Sequence, residues 1–193
     1  MEYSKGSLAK YLEALSSSAV SPGGGSAAAL TGALGVALAE MTARINHDRY
    51  KKKIPRAPET QAVQRIARLA ALRRSLCGFI TEDARAFARI SKHFKKEKTS
   101  ASFQRALKEG ARIPFQICER AAEAARLARL EKPRTGRWLA SDLAEAGVLL
   151  RAAFEAGRLN VEINLNGMAD KRFAAGRRRE LGDLQKKVRA ATR

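Results

Sequence analysis

The sequence predicts an all-α protein: a single-domain helical bundle of five or six helices spanning residues 1–193, with a long second and a long third helix. Apolar residues recur at spacings of three and four along most of the chain, which is the helical period. The chain has only 7 Phe, 3 Tyr and 1 Trp, and it is rich in alanine, leucine and arginine. This composition favours helices packed through small side chains over a sheet. With 193 residues and 45% apolar composition, the chain is long enough for one core.

Three helices are predicted in the first half of the chain. The first, residues 7–15, has one apolar side. The second, residues 26–45, is uncharged until Glu40 and apolar nearly all round, so we expect it at the centre of the bundle. A proline-containing stretch then leads into the third helix, which begins near Pro58 and continues to residue 90.

The second half contains two further helices and a basic tail. The charged segment 91–100 is predicted to be a loop or a helix end, and residues 102–130 form a helix that Pro114 should kink. After the turn "EKPRTGRW", the next helix is expected to begin with Ser141 as its N-cap. Residues 170–193 are predicted to form a basic amphipathic helix that frays.

The stretch "RLNVEINLN", residues 158–166, alternates like a strand but also has helical spacing. A lone strand would lack a partner in this chain, so a helix is favoured. On a helix, Asn160 and Asn164 share one face. An unsatisfied buried amide costs about 1 to 3 kcal/mol, so these side chains bind a ligand, cap a neighbouring helix or pair across an interface.

The turn "SPGGGS", residues 21–26, contains three consecutive glycines before the apolar second helix. Gly23, Gly24 and Gly25 are unfavourable unless the backbone needs positive φ or a close approach. One interpretation is that the helix N-terminus, with its partial positive charge, meets a ligand acceptor group. The other is a tight helix entry with Ser26 as the N-cap. A P-loop is excluded because Lys-Ser/Thr is missing, and a dinucleotide fingerprint because no strand precedes it.

The net charge of +19 is unevenly distributed. Residues 41–140 carry 25 basic against 9 acidic side chains, and residues 161–193 carry 9 against 4, whereas 1–40 and 141–160 are nearly neutral. The neutral segments indicate core or interface. The basic segments suggest a nucleic acid or another acidic molecule as a secondary partner. No recognised nucleic-acid motif supports this role, and aromatic residues are not interleaved with the basic ones along the chain.

Other features of the sequence exclude several classes of protein. Cys77 and Cys118 lie in apolar helical patterns, as expected for buried reduced thiols of a cytoplasmic protein. His47 and His93 stand alone, so no metal site is predicted. The N-terminus has no signal-peptide core, and the uncharged run 14–39 is interrupted by serines, Pro22 and glycines, so no membrane span is expected.

Several fragments together resemble one family. They are "SPGGGSAAALTGALGVALAEM" from residue 21, "DARAF" from 83, "GARIP" from 110, "SDLAEAGVLL" from 141 and "AGRLNVEINLNGMAD" from 156. In this order, over about residues 5–173, the chain resembles the formimidoyltetrahydrofolate cyclodeaminase and methenyltetrahydrofolate cyclohydrolase family.

The resemblance implies a helical bundle that forms a homodimer and binds a folate substrate. It also implies one of two reactions: hydrolysis of the methenyl bridge of tetrahydrofolate, or closure of a formimino group with loss of ammonia. Neither reaction needs a metal or a redox cofactor, so no cofactor is expected. The implied substrate-binding residues are Pro22, Gly23, Gly24, Gly25, Ser26, Asn160 and Asn164.

Asp142 and Asp83 are the candidate catalytic residues. The methenyl carbon belongs to an electrophilic amidinium, and a carboxylate in a partly apolar pocket can accept a proton from the attacking water. The ordinary alternative is that Asp142 merely lies in the first turn of its helix, and that Asp83 pairs with Arg85 or Arg89.

Arg44 and Arg49 are candidates for holding the carboxylate tail of folate, because a guanidinium binds carboxylates through paired hydrogen bonds. The chain also departs from the family pattern: its connection over 88–110 is shorter than usual and lacks the usual Pro-Lys pair, for which Lys95 or Lys96 could substitute. A catalytically impaired family member is therefore the alternative hypothesis.

Overall fold

A computed structural model describes residues 2–53, 60–93 and 97–193. Within these residues there are six α-helices and no strand, so the predicted all-α class and the helix over 158–166 are confirmed. The predicted start of the third helix near Pro58, and Lys95 and Lys96, lie outside the described residues. The helices are α1 (Leu8–Ser16), α2 (Gly24–Lys53), α3 (Thr60–Ile90), α4 (Ala101–Glu131), α5 (Ala140–Asn166) and α6 (Lys171–Ala191).

Helices α2 to α5 form an antiparallel up-and-down bundle. In α2, Gly32 lies against Ala153 of α5, and Gly35, further along α2, lies against the earlier residue Leu150. Helices α3 and α4 are antiparallel in the same way. One end of the bundle, the glycine end, therefore contains the starts of α2 and α4 and the ends of α3 and α5. The opposite end is called the far end.

The central helix is α2, which packs against α3, α4 and α5. Small side chains allow this packing: a Cβ on Gly32 would lie 3.3 Å from the Cβ of Ala153, and one on Gly35 would lie 2.9 Å from the Cγ of Leu150. By its length, and by a mean hydropathy of 1.3 over an 18-residue stretch, α2 could also cross a membrane, but 61% of that stretch is buried inside the bundle. Its apolar character is thus explained by its central position.

The starts of the later helices follow local capping. The Ser100 hydroxyl accepts the Phe103 N–H at the start of α4, and Pro114 lies within that helix. The Asp170 carboxylate accepts the Phe173 N–H, 2.9 Å away, at the start of α6. The prediction that Ser141 caps α5 is wrong. A short 3₁₀ turn over Arg137–Leu139 leads directly into α5, so Ser141 already lies in its first turn.

Two buried carboxylates lie away from the glycine end, Glu40 in the middle of the bundle and Glu131 at the far end. Glu131 of α4 is 2% exposed and accepts hydrogen bonds from Arg65 Nε at 2.8 Å and Asn46 Nδ2 at 3.1 Å. Glu40 of α2 accepts from Arg44 Nη2 at 2.7 Å and Arg73 Nε at 2.8 Å. Burial alone would raise the pKa of Glu40, but the hydrogen bonds from the two arginines lower it below its usual range. Both acids therefore join neighbouring helices.

Gly35→Ala should destabilise the protein by about 1 to 3 kcal/mol, because the added methyl group would overlap Leu150 in the α2–α5 contact. Gly182→Ala in α6 is the matched control. Nothing lies within 4 Å of its Cβ position, so its higher helix propensity should stabilise the protein by about 0.5 to 1 kcal/mol. Urea unfolding of both variants measures the difference. Equal stability of the two would contradict the close α2–α5 packing.

Candidate functional site

A cavity of about 390 Å³ opens at the glycine end, between the starts of α2 and α4 and the ends of α3 and α5. Its polar groups are few and come from different helices, and the rest of its wall is apolar. The described residues that line it are Val20, Ser21, Gly23, Gly24, Gly25, Asp83, Ala86, Phe87, Ile90, Leu107, Gly110, Pro114, Asn160, Ile163 and Asn164.

The glycine turn brings the start of α2 against Asp83 of α3. The helix begins at Gly24, and the backbone N–H of Ser26 donates a hydrogen bond to the Asp83 carboxylate. A Cβ at position 25 would overlap this carboxylate, because it would lie only 2.5 Å from the Cγ of Asp83. None of the described glycines has positive φ. Close approach, and not an unusual backbone angle, therefore explains the glycine at position 25.

Ser26 does not cap α2, contrary to one of the two predictions, because it is the third residue of the helix. Its side chain is fully buried and its hydroxyl donates to the carbonyl oxygen of Ile80, 2.8 Å away. The only hydroxyl hydrogen of Ser26 is thereby used, so the buried Tyr11 hydroxyl, 3.2 Å away, donates to Ser26 Oγ. Pro22, the second residue of the turn, is buried and is not among the lining residues.

Asp83 is the only charged side chain among the described lining residues. Burial raises the pKa of its carboxyl above the usual range of an aspartate, and the hydrogen bond from the Ser26 N–H partly opposes this shift. The expected alternative, pairing with Arg85 or Arg89, is not what the structure shows. Those arginines lie 3.7 Å from Glu2 and 3.9 Å from Glu109. Asp83 is thus a partly desolvated carboxylate, and no arginine among the described residues forms an ion pair with it.

The two asparagines of α5 present hydrogen-bond acceptors to the cavity. Asn160 Nδ2 donates to the Ala156 carbonyl at 2.8 Å, and Asn164 Nδ2 donates to the Asn160 carbonyl at 2.9 Å. Because a carbonyl must be met by a donor, these bonds fix the side-chain orientations. The Oδ1 of Asn160 faces the Cβ position of Gly24 at 3.2 Å, and the Oδ1 of Asn164 faces that of Gly110 at 2.5 Å. The geometry of this pair is therefore compatible with ligand binding.

Backbone donors complete the polar set. The first intrahelical bond at the start of α2 runs from the Ala27 N–H to the Gly23 carbonyl, 3.0 Å apart. The N–H groups of Gly24 and Gly25 precede it, at the positive end of the helix dipole and on the cavity wall. The cavity thus combines amide donors with three side-chain acceptors, those of Asp83, Asn160 and Asn164.

Two of the wall residues, Gly110 and Pro114, lie on α4 and were not among the predicted site residues. A glycine in mid-helix usually marks a close approach of another group, and here that group is Asn164. This signal was present in the fragment "GARIP". The apolar wall residues Phe87, Ile90 and Ile163 have no comparable signal, because apolar residues at helical spacing also describe an ordinary core.

The remaining predicted site residues lie at the far end. Asp142 is 18 residues before Asn160 on the same helix, which is roughly 27 Å along its axis. Arg44 lies roughly 28 Å along α2 from Gly25 and is bonded to Glu40. Arg49 lies beside Gly136, with Nη1 3.1 Å from that glycine's Cβ position. Within one chain, then, Asp83 and the two asparagines come together, and Asp142, Arg44 and Arg49 do not join them.

The described part of the chain contains no cluster of metal ligands and no exposed cysteine. No group of three or more His, Cys, Asp or Glu side chains there could hold a metal ion. Cys118 is fully buried, as predicted, and burial raises the pKa of its thiol to about 12, so it remains protonated. Cys77 is only half-buried.

These features define a class of helical protein in which one partly buried carboxylate, helix-start amides and paired asparagines surround a single cavity. The chain belongs to the formiminotransferase-cyclodeaminase family, whose sequence model matches residues 7–183. A methenyltetrahydrofolate cyclohydrolase from Methylorubrum extorquens is 34% identical over 182 residues, covering 90% of this chain and 86% of that protein. The crystal structure of formiminotetrahydrofolate cyclodeaminase from Thermotoga maritima superposes with a TM-score of 0.89 at 26% identity, covering 97% of this chain and 92% of that one.

Gly25→Ala should displace the Asp83 carboxylate, because the new methyl group would occupy its position. The Ser26 N–H then loses its acceptor, and its hydrogen exchange should become faster. Gly23→Ala is the matched control, since its Cβ would meet only the Val20 carbonyl at an ordinary 3.6 Å. Amide exchange followed by NMR measures the effect. Unchanged Ser26 protection in Gly25→Ala would contradict the described contact.

Proposed function

We propose that this protein hydrolyses 5,10-methenyltetrahydrofolate to 10-formyltetrahydrofolate. The observation that carries the proposal is Asp83, a partly desolvated carboxylate in a cavity whose other described lining residues are uncharged. The name of the relative from M. extorquens supports this reaction over the alternatives. Closure of a formimino group with loss of ammonia is the second candidate, supported by the likeness to the T. maritima cyclodeaminase.

The charge of the substrate matches the charge of the cavity. The methenyl bridge is an amidinium cation, and a single carboxylate in a low-dielectric pocket attracts it more strongly than a carboxylate in water would. No arginine or lysine is among the described lining residues to oppose this attraction. The apolar wall, which includes Phe87 and Ile163, suits the flat ring system of the substrate.

Asp83 acts as the general base in the proposed mechanism. Water adds its oxygen to the bridging carbon and gives one proton to the Asp83 carboxylate, which leaves a neutral carbinolamine. The bond from this carbon to N5 then breaks, N5 takes the proton from Asp83, and the hydroxyl proton leaves to solvent as the formyl C=O forms on N10. One water is consumed, one proton is released and Asp83 is ionised again.

The asparagines and the helix start orient the substrate in this proposal. One N–H of each side-chain amide is bonded within α5, and this leaves the Oδ1 atoms of Asn160 and Asn164 as acceptors at the cavity. They suit the N–H groups of the pterin ring. The N–H groups of Gly24 and Gly25 suit an oxygen of the substrate, including the oxygen that forms at the reacting carbon.

We further propose a homodimer formed through the outer face of α2. Leu34 is 52% and Met41 is 37% exposed, and both continue an uncharged stripe at heptad spacing. The stripe consists of Ala27, Thr31, Leu34, Leu38, Met41 and Ile45. The molecular mass in solution, by light scattering, tests this. A cytoplasmic location and the lack of a resident cofactor are also proposals, in keeping with a reaction that needs only water and the folate.

Asp83→Asn should lower turnover of methenyltetrahydrofolate about a hundredfold or more, because asparagine cannot take the proton from water. The variant should nevertheless be as stable as the parent protein or more stable at neutral pH. The pKa of Asp83 is raised in the folded state, so its ionised form opposes folding; its contribution to stability is full at low pH and is lost as pH rises through the folded pKa. The methenyl absorbance and thermal unfolding measure the two effects.

Asp170→Asn provides a control of opposite sign. Asp170 is exposed at the start of α6, and the hydrogen bond from the Phe173 N–H, followed by that from Lys108, lowers the pKa of its carboxyl. This variant should keep its turnover and lose some stability at neutral pH. The proposal is wrong if Asp83→Asn retains turnover, or if the parent protein does not exceed the spontaneous rate. Folate binding without turnover would indicate the impaired family member.

A further inference from the structure

The far end carries a basic surface built from two segments of the chain. One is the end of α2 and the other is the turn between α4 and α5. The exposed side chains that define this basic surface are Arg49, Tyr50, Lys52, Lys53, Arg134, Arg137 and Trp138.

The two segments form one continuous surface. Arg49 Nη1 lies 3.1 Å from the Cβ position of Gly136, so the last turns of α2 adjoin the 132–138 turn. Residues 49 and 136 are far apart in sequence, so the fold brings together two basic segments that each carry one exposed aromatic side chain, Tyr50 and Trp138.

Two aromatic side chains are exposed within this surface. Trp138 is 89% exposed and is the only tryptophan of the chain, and Tyr50 is 47% exposed. An indole contributes a large apolar area when buried, so its exposure on a monomer leaves a substantial stacking face open to a partner. Arg137 directly precedes Trp138, which places a guanidinium next to the ring in sequence.

Nearby acidic groups only partly offset this positive charge. Glu131 is buried and bonded to Arg65, and Glu40 is buried and bonded to Arg44 and Arg73. Asp48 is exposed beside His47, and Asp142 and Glu145 lie at the start of α5. Counting residues 44–53 and 129–138, nine basic side chains face two acidic ones, and one of these two acids is the buried Glu131.

We propose that this basic surface binds single-stranded nucleic acid, with a base stacked on Trp138 and phosphates held by the surrounding lysines and arginines. Stacking on an exposed aromatic ring together with cations along the backbone is the pattern by which single strands are bound without sequence preference. An acidic peptide would match the charge but not the exposed indole. An anionic bilayer would match both, so it is the rival that the experiment must separate.

The single tryptophan makes the experiment specific to this surface. Titrating the full-length protein with a short oligo(U) should quench Trp138 fluorescence, and the affinity should fall steeply with salt. Trp138→Ala should weaken binding of a labelled oligo(U) about tenfold or more, as expected for the loss of one stacked base. Turnover of methenyltetrahydrofolate should stay unchanged, so this test is independent of the proposed enzyme function.

A charge variant and its matched control complete the design. Lys52→Gln combined with Lys53→Gln should reduce the slope of log affinity against log salt by about 1.4, since each of two phosphate contacts contributes about 0.7 for a single strand. Lys10→Gln combined with Lys98→Gln removes the same charge at the glycine end and should leave the slope nearly unchanged.

Three outcomes would overturn the proposal. The first is the absence of quenching with oligo(U). The second is equal weakening by the two lysine pairs, which would indicate attraction by net charge alone. The third is a blue shift of Trp138 emission on vesicles containing phosphatidylserine without oligo(U) binding, which would assign the surface to a membrane.

Discussion

The carboxylate of one helix caps the start of another, and this contact organises the site. Asp83 of α3 accepts the Ser26 N–H of α2, which is possible only because residue 25 has no side chain. The same contact removes Asp83 from much of the solvent and raises the pKa of its carboxyl. The Asp83 carboxylate is therefore both the cap of α2 and the acidic group of the cavity. Its ionisation destabilises the folded protein, and contacts elsewhere in the bundle must offset this cost.

The number and order of the helices could be read from hydrophobic period alone, because each helix buries one face over many turns. The convergence of the glycine turn, Asp83 and the asparagines followed from the family resemblance. The glycines indicated a close approach, but its partner could not be predicted, since nothing in "SPGGGS" shows that a carboxylate 58 residues after Gly25 will occupy the space beside it. The buried hydrogen bond from Ser26 to Ile80 could not be predicted either. Local sequence instead suggested an N-cap, which is the common function of a serine at such a position.

The positions of Asp142, Arg44 and Arg49 show a different limit. Sequence placed them on the same helices as the true cavity residues, and helical spacing says which face a residue occupies but not which end of the bundle it reaches. Because α2 and α5 are antiparallel and each about 30 residues long, their opposite ends lie far apart. The cavity, which is nearly uncharged, and the strongly basic far end are consequently far apart. The net charge of the whole molecule does not indicate the charge of either region.

The attachment of α1 has a consequence for access to the cavity. Its only buried residue is Tyr11, held by the hydrogen bond to Ser26 and the edge contact with the Tyr3 ring, while Leu8 and Leu12 are mostly exposed. A segment with so few buried contacts opens locally at a lower free energy than the bundle unfolds. Since Val20 and Ser21, which follow α1, form part of the cavity wall, such opening would widen the entrance while Asp83 and the two asparagines stay in place. The rate at which ligand enters would then depend on the hydrogen bond between Tyr11 and Ser26, two residues that do not line the cavity.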